Sequence, residues 1–229
     1  VEIVERLDRM SLAIELAAAR TTILSPNKIL ERLSQRFKLL RGEKRNVQER
    51  QATLHNAIDW SWHLLEPWEK LALAQISIFH GGFTLEAAED VVDIEDWNDA
   101  PWVIDVLQAL CDKSLLRIRE SIPGHDRFFL YESIREYATG QHLNPKAVLD
   151  ESGQSLTGPE SLDDTATRMA HHYSQFGTQE YRESLWSHGG VDRARLLQKE
   201  LDNLLTSLHR CVASKDPEKS AHTLFAVCD

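Results

Sequence analysis

Side chains that often do chemistry are present in this sequence, but their spacing does not suit catalysis or metal binding. His171 and His172 are adjacent, so on a helix they point about 100° apart and do not readily share a metal ion. Four carboxylates lie close together in an acidic run, namely Asp93, Glu95, Asp96 and Asp99. The run lacks the glycine and the ordered ligand spacing of a calcium loop, which favours a solvated turn.

Sequence motifs for nucleotide binding, zinc binding and hydrolysis are missing as well. No glycine is followed by lysine, so there is no G-x-x-x-x-G-K-[ST] loop, and there is no G-x-G-x-x-G fingerprint. Neither C-x-x-C nor H-E-x-x-H occurs. The sequence therefore predicts no catalytic residue and no metal site, and we expect a segment that is not itself an enzyme.

The composition is that of a globular protein from a reducing compartment. The chain has 229 residues, of which 42% are hydrophobic and 27% charged, and this excludes wholesale disorder and suggests two or three small domains. Its three cysteines are far apart, which favours a cytoplasmic setting over a disulfide framework. No uncharged apolar run approaches the ~18 residues of a membrane span, and no signal peptide is recognisable. Both ends fall inside amphipathic stretches, so we expect a segment of a longer protein.

Charge is distributed unevenly along the chain. Residues 1–45 carry 10 basic and 6 acidic side chains, whereas residues 46–140 carry 7 basic and 17 acidic side chains, a net charge of −10. Affinity for nucleic acid rests mainly on Lys and Arg side chains that neutralise phosphates. The middle of the chain lacks that basic surface, so the sequence does not favour nucleic acid as its partner.

Residues 1–45 are predicted to form a small helical domain. Ser25-Pro26 has the residue types of an N-cap followed by a first helical position, and the apolar residues of 29–40 recur at helical spacing. Upstream, a second apolar helical face runs through residues 12–23.

Residues 46–143 are predicted to form a winged helix. Helical spacing recurs in residues 54–65, 71–78 and 103–110, with a break at Glu66-Pro67 and a stop at Gly81-Gly82. Thr84 is suited to cap a short helix that runs through Val92. Two runs of period two, residues 116–119 and 128–131, flank a turn at Pro123-Gly124 and indicate a β-hairpin. A further helix closes the unit.

Two sets of side chains in this middle domain allow either a binding or a structural interpretation. Arg117 and Arg119 share one face of the predicted strand and could bind phosphate. The alternative is a surface salt network with the nearby acids Asp105, Asp112 and Glu120. Three tryptophans could stack on a ligand, although their place around a helix break favours core packing: Trp60, Trp62 and Trp68.

The C-terminal part is predicted to be a linker followed by a helical array. Residues 144–161 are rich in Pro, Gly and Ser and poor in apolar side chains, which is typical of a linker. Within residues 162–229, apolar stripes occupy residues 166–176 and 197–208, and Asp216-Pro217 opens a third helix. The predicted fold class is therefore mainly α: a helical domain, a winged helix with one β-hairpin, and then TPR-like helical repeats.

Three stretches of the chain resemble a known family when they are taken together and in this order. They are residues 12–20 (LAIELAAAR), residues 59–88, which contain DWSWHLL and FHGGFTLEAA, and residues 131–138 (YESIREYA). Their order and spacing are similar to those of the bacterial signal-transduction ATPases with numerous domains, the STAND family, which are related to the NB-ARC ATPases. The resemblance is strong over residues 1–140 and weak over residues 165–229.

The resemblance implies a regulatory segment that follows a P-loop ATPase core. In this family the core is followed by a small helical lid domain, a winged helix and a tetratricopeptide-like array, and ADP and ATP control switching. The core would lie upstream of Val1, so ATP or ADP with Mg²⁺ is expected only for a full-length protein. The implied partners are that upstream core and a protein bound by the helical repeats, with no membrane contact.

Two positions correspond to nucleotide-sensing motifs of this family. The G-x-P turn of the helical domain, which lies against adenine, corresponds to Arg9-Met10-Ser11. The M-H-D motif of the NB-ARC branch corresponds to Leu130-Tyr131-Glu132, where Tyr131 replaces the histidine that reaches the ADP β-phosphate. The resemblance therefore names Arg9, Ser11 and Tyr131 as cofactor-binding candidates. A neutral phenol contacts phosphate less strongly than an imidazolium does, and a packing role for Tyr131 stays open.

Two functions from different classes follow from the sequence. The first is a non-catalytic regulatory segment that couples the nucleotide state of an upstream ATPase core to partner binding or to a transcriptional output. The alternative is a DNA-binding winged-helix transcription factor domain. The helix around residues 102–113 would enter the DNA groove, but it offers two acids, one glutamine and one lysine, which suits phosphate poorly.

Overall fold

The computed structural model describes residues 3–4, 11–37, 47–97 and 99–228. Its N-terminal helices are α1 (Ser11–Ala19), α2 (Pro26–Phe37) and α3 (Val47–His63), with a 3-10 turn after α1. The start of α2 agrees with the prediction, because the Ser25 hydroxyl accepts a hydrogen bond from the backbone N–H of Lys28 at 3.4 Å. The apolar face predicted to reach Ile23 ends earlier, since the 3-10 turn intervenes and leaves Ile23 exposed.

The middle of the chain has the element order of a winged helix. Its helices and strands are α4 (Pro67–Ile76), α5 (Leu85–Val91), α6 (Val103–Asp112), β1 (Arg117–Ile122), β2 (His125–Phe129) and α7 (Glu132–Leu143). Helix α4 begins at the predicted break, where the Glu69 carboxylate accepts a hydrogen bond from the backbone N–H of Glu66 at 2.9 Å. Thr84 caps α5 as predicted, since its hydroxyl accepts from the backbone N–H of Ala87 at 3.3 Å.

Strands β1 and β2 form the predicted antiparallel hairpin around Pro123-Gly124. Phe83 adds a short third segment to this hairpin, because its backbone N–H and carbonyl both hydrogen-bond to Phe128, at 3.0 and 2.8 Å. The predicted alternation of apolar and polar residues does not correspond to alternating burial, however. Ile118, an apolar residue, is 51% exposed, whereas the charged Arg127 is 1% exposed. Arg127 is buried because it forms an ion pair with Glu200 of the C-terminal part of the chain.

The C-terminal part packs directly against the winged helix. After an irregular loop of residues 144–158, the helices are α8 (Pro159–Ser174), α9 (Gln179–Ser184), α10 (Gly190–Lys199), α11 (Leu201–Ala213) and α12 (Pro217–Cys228). The apolar stripe of residues 197–208 was expected on one helix, but α10 and α11 meet at Glu200, whose backbone leaves helical geometry. Helix α12 starts at Pro217 as predicted, and the Asp216 carboxylate accepts from the backbone N–H of Lys219 at 3.0 Å.

One hydrophobic core runs through all three parts. It includes Leu16 of α1, Leu107 of α6 and Tyr173 of α8. Trp60 and Trp62 are buried in it, which agrees with the structural interpretation of the tryptophans. The described residues are thus mainly helical with one two-stranded sheet, which confirms the predicted mainly α fold with one β-hairpin, while the TPR-like nature of the C-terminal helices stays a prediction.

The buried His142 makes the stability of the fold depend on pH. Burial lowers the pKa of His142 from 6.5 to about 4, and the ring contacts the Ser161 hydroxyl at 3.2 Å. The unfolded chain therefore binds more protons than the folded chain between these two pKa values, so stability is lost as the pH falls through this window.

We expect this histidine to cost about 2 kcal/mol of the free energy of unfolding between pH 7 and pH 5. Urea unfolding at the two pH values, followed by circular dichroism, measures the difference. His142→Gln should remove this part of the pH dependence, whereas His209→Gln, at an exposed position, should keep it. Identical pH dependence in wild type and His142→Gln would contradict the assignment.

Candidate interdomain interface

A buried polar cluster joins the wing of the winged helix, which is the hairpin of β1 and β2, to the C-terminal helices α8–α12, which we call the helical array. We call Arg127, Glu200, Tyr173 and Asn203 the Arg127 cluster. Arg127 forms an ion pair with Glu200, and the two side chains are 1% and 7% exposed. The Tyr173 hydroxyl donates to Glu200 Oε2 at 2.8 Å, and Asn203 Nδ2 donates to the same atom at 3.0 Å. The charge of Arg127, on strand β2 of the wing, is thus neutralised by Glu200 of the helical array.

The Gly81-Gly82 pair is the other half of this interface. The Gly82 carbonyl accepts from Arg127 Nη2 at 2.9 Å and from Asn203 Nδ2 at 2.8 Å. Asn203 Oδ1 in turn accepts from the backbone N–H of His80 at 2.7 Å. Gly82 has φ +90°, which places its carbonyl where both donors reach it. The sequence predicted only a helix stop here, whereas the structure shows a docking point for the array.

Local structure explains how each member of the Arg127 cluster reaches its place. Glu200 lies at the junction of α10 and α11, and Asn203 follows one turn later on α11. Tyr173 lies in the last turn of α8, and its phenol is fully buried, so burial raises its pKa while the nearby Arg127 charge acts in the opposite direction. Burial also lowers the pKa of Arg127. A pattern within one stretch of the sequence could not have predicted these contacts, because the partners lie up to about 120 residues apart along the chain.

A second set of contacts extends the same interface along α8. His172 Nδ1 lies 2.6 Å from the Asp90 carboxylate of α5, and Arg168 Nε donates to the Val91 carbonyl at 2.8 Å. His171, the other member of the histidine pair, is exposed. The two histidines thus have different surroundings, and across the described ranges no cluster of three His, Cys, Asp or Glu side chains could hold a metal ion.

The N-terminal helices contact the winged helix through Tyr131. Its hydroxyl donates to Glu15 Oε2 of α1 at 3.0 Å, and the Arg117 guanidinium lies 3.7 Å from the centre of its ring. Arg117 also forms an ion pair with Glu15 at 3.2 Å. The acids expected to pair with Arg117 were Asp105, Asp112 and Glu120. The observed partner comes from α1 instead, so this arginine contributes to a contact between parts of the chain.

The three cofactor-binding candidates have different outcomes. Arg9 lies outside the described residues, so its place is not defined. Ser11 is the exposed first residue of α1. Tyr131 precedes α7 and is half-buried in the contact with Glu15. Nucleotide contact by these residues stays a prediction.

The face that a winged helix uses for DNA carries little positive charge here. Helix α6 exposes Asp105, Gln108 and Asp112, and its lysine, Lys113, is bound to the buried carboxylate of Glu69. On the wing, Arg127 is buried and Arg117 is paired with Glu15, which leaves Arg119 exposed. Trp102, at the start of α6, is 80% exposed. The face is therefore acidic and apolar rather than basic.

Comparison with known proteins assigns the middle of the chain to a domain type. A family model described as a winged helix-turn-helix domain matches residues 65–142. Together with the order of α4–α6, the hairpin and α7, this match shows that residues 65–142 form a winged helix.

Some relatives of this chain carry the name of a transcriptional regulator. A Mycobacterium tuberculosis protein provisionally named an HTH-type transcriptional regulator is 41% identical over 137 residues, which are 60% of this chain and 15% of that protein. A Mycobacterium bovis protein with the same provisional description matches equally. An uncharacterized protein of Mycobacterium tuberculosis is 36% identical over 154 residues, which are 67% of this chain and 37% of that protein.

The matched stretch is thus a small part of these relatives, and their names describe whole proteins. These names and the family match favour the alternative considered from the sequence, a DNA-binding winged-helix transcription factor domain, over a segment of a STAND ATPase. No solved structure matches the chain. Within the part of the chain that the structure describes, no helix has both the length and the apolar character needed to cross a bilayer.

Proposed function

We propose that this chain is a non-catalytic segment of a transcriptional regulator, in which the winged helix connects an N-terminal helical lid to a C-terminal helical array. The observation that carries this proposal is the Arg127 cluster. A charge on a wing that reads DNA has to remain available to phosphates, whereas Arg127 is buried and neutralised by Glu200 of the array. Arg127 of the wing is therefore used in a contact within the protein and is not available to DNA.

The charge of α6 supports the same proposal. A helix that enters the major groove passes between two rows of phosphates, so acidic side chains on its exposed face repel the duplex. Asp105 and Asp112 lie on that face, and Lys113 is held by Glu69. Exposed apolar groups such as Trp102 and Ile104 instead suit contact with protein.

The finer part of the proposal is the regulatory context. We propose that a full-length protein carries a STAND-type P-loop ATPase core upstream, that this core binds ATP or ADP with Mg²⁺, and that its nucleotide state acts on the winged helix through α1. Support comes from the motif order described above and from Tyr131, whose hydroxyl binds Glu15 of α1. The C-terminal helices are proposed to begin a TPR-like array that binds a protein partner.

Hydrogen exchange followed by mass spectrometry tests the connector role. In the Glu200→Gln variant, we expect faster exchange both in β1–β2 and in α11, because the contact that joins them is weakened. Exchange in α1 should stay unchanged. Faster exchange that is confined to α10 and α11 would contradict a connection between the array and the wing.

DNA binding by the winged helix is the second candidate function, favoured by the family match and by the regulator names of the relatives. Fluorescence anisotropy with a labelled random duplex at 50 mM and 200 mM salt distinguishes the two. The connector proposal predicts no binding at micromolar protein concentrations. Micromolar binding that weakens steeply with salt, and that is lost in Arg119→Ala but not in Arg182→Ala, would overturn it in favour of DNA binding.

A further inference from the structure

A cavity of about 620 Å³ lies beside the Arg127 cluster, at the junction of the winged helix and the C-terminal helices. Its apolar walls come from both sides: Leu85, Ile104 and Ile118 from the winged helix, and Phe176, Leu196 and Leu197 from the array. Sites for small organic molecules are commonly concave, mostly apolar, located between domains and between about 300 and 1,000 Å³ in volume. This junction cavity has all of these properties.

The polar groups that line the junction cavity indicate which charge a bound molecule would carry. Two potentially basic groups already have acidic partners, because Arg127 is paired with Glu200 and His172 Nδ1 lies 2.6 Å from the Asp90 carboxylate. His125 also lines the cavity and is exposed. Two carboxylates remain, Glu86 in the first turn of α5 and Asp126 on β2. Both are exposed, and neither is paired in any ion pair found among the described residues. The cavity thus offers apolar walls and uncompensated negative charge.

We infer that the junction cavity binds a small, mainly apolar molecule that carries one positively charged amine. The apolar body would contact the walls given by Ile104, Ile118 and Leu196, and the amine would lie near Glu86 and Asp126. Such a molecule would touch the wing and the array at once. It would therefore stabilise their docked arrangement, since a ligand that binds only the folded state raises its stability.

Three probes with the same ring system and different charge test this inference by calorimetric titration: 2-naphthylmethylamine, 2-naphthylmethanol and 2-naphthoate. We expect the amine to bind most tightly and the carboxylate most weakly. In the double variant Glu86→Gln/Asp126→Asn, the amine should bind about fivefold more weakly, while binding of the alcohol should be unchanged. Ile118→Lys, which places a cation in the cavity at a half-exposed position, should abolish amine binding.

The double variant Glu160→Gln/Asp99→Asn is the matched control. It removes the same two charges from exposed positions outside the cavity, and Glu160 also lies in the first turn of a helix. It should bind the amine as the wild type does. Equal affinity of the wild type for amine and alcohol, the same loss in both double variants, or no binding of any probe would overturn the inference. None of these outcomes bears on the connector role, which is argued from the Arg127 cluster and not from the cavity.

Discussion

Glu200→Ala is expected to lower the free energy of unfolding by about 3–5 kcal/mol, because it leaves the Arg127 guanidinium buried without its counter-charge. The same change removes the acceptor of the Tyr173 hydroxyl and one acceptor of Asn203. A buried donor without an acceptor costs further stability. Urea unfolding monitored by circular dichroism measures the loss.

A matched control separates burial from charge. Asp192 lies on the adjacent helix α10 and is paired with Arg195, but both side chains are more than half exposed. Asp192→Ala should therefore cost less than about 1 kcal/mol. Equal losses in Glu200→Ala and Asp192→Ala would contradict the buried pair.

The double variant Arg127→Met/Glu200→Met distinguishes loss of the pair from loss of one partner. Replacing both charged groups by apolar side chains removes the uncompensated charge, so we expect this variant to be more stable than Glu200→Ala. The connector proposal nevertheless predicts that its array and wing stay docked, because apolar contacts remain. A double variant less stable than Glu200→Ala would show that Arg127 stabilises the fold even without Glu200, and a double variant less stable than the wild type would show that the pair contributes more than its desolvation costs.

Gly82→Ala is expected to destabilise the protein by about 3 kcal/mol or more. Its φ of +90° is strained for any residue with a Cβ atom, at about 1–2 kcal/mol. The added Cβ would also lie 2.6 Å from the Phe129 ring and 2.8 Å from the Phe128 carbonyl oxygen, so the strand has to shift. Thermal unfolding by calorimetry measures the effect.

Gly124→Ala provides the comparison for this glycine. Gly124 has φ +80° in the hairpin turn, but a Cβ there meets no atom within 4 Å. Only the backbone strain should appear, so the loss should be about 1–2 kcal/mol. If the two variants lose the same stability, close packing at Gly82 contributes nothing.

Much of the local structure was predictable because it depends on short-range chemistry. Ser25, Thr84 and Asp216 cap their helices through contacts with backbone N–H groups a few residues away. The hairpin followed from a turn and two short alternating runs. Such features are fixed by side chains that are neighbours in the sequence, so their types and spacing are sufficient evidence.

The interface was not predictable because its members are distant in the sequence and each has an ordinary local role. Arg127 precedes the predicted strand run of residues 128–131 and had no predicted role, and Glu200 lies within the apolar stripe of residues 197–208, which was expected on one helix. Only the docking of α10 and α11 on the wing gives these two side chains a shared, water-free environment. The helix break at Glu200 likewise has no Pro or Gly signal.

Three groups from separate stretches of the chain meet in one contact: the Gly82 carbonyl, Arg127 and Glu200. Arg127 binds both of the others, so each of these contacts is lost if Arg127 or its partner is missing. Replacing the winged helix or the C-terminal helices alone would therefore separate these groups from one another. A chimera that takes residues 65–142 from one protein and the C-terminal helices from another is expected to lose stability where it leaves Arg127 or Glu200 without its partner. We therefore expect that, when one of these three positions is replaced in a related protein, the other two are replaced as well.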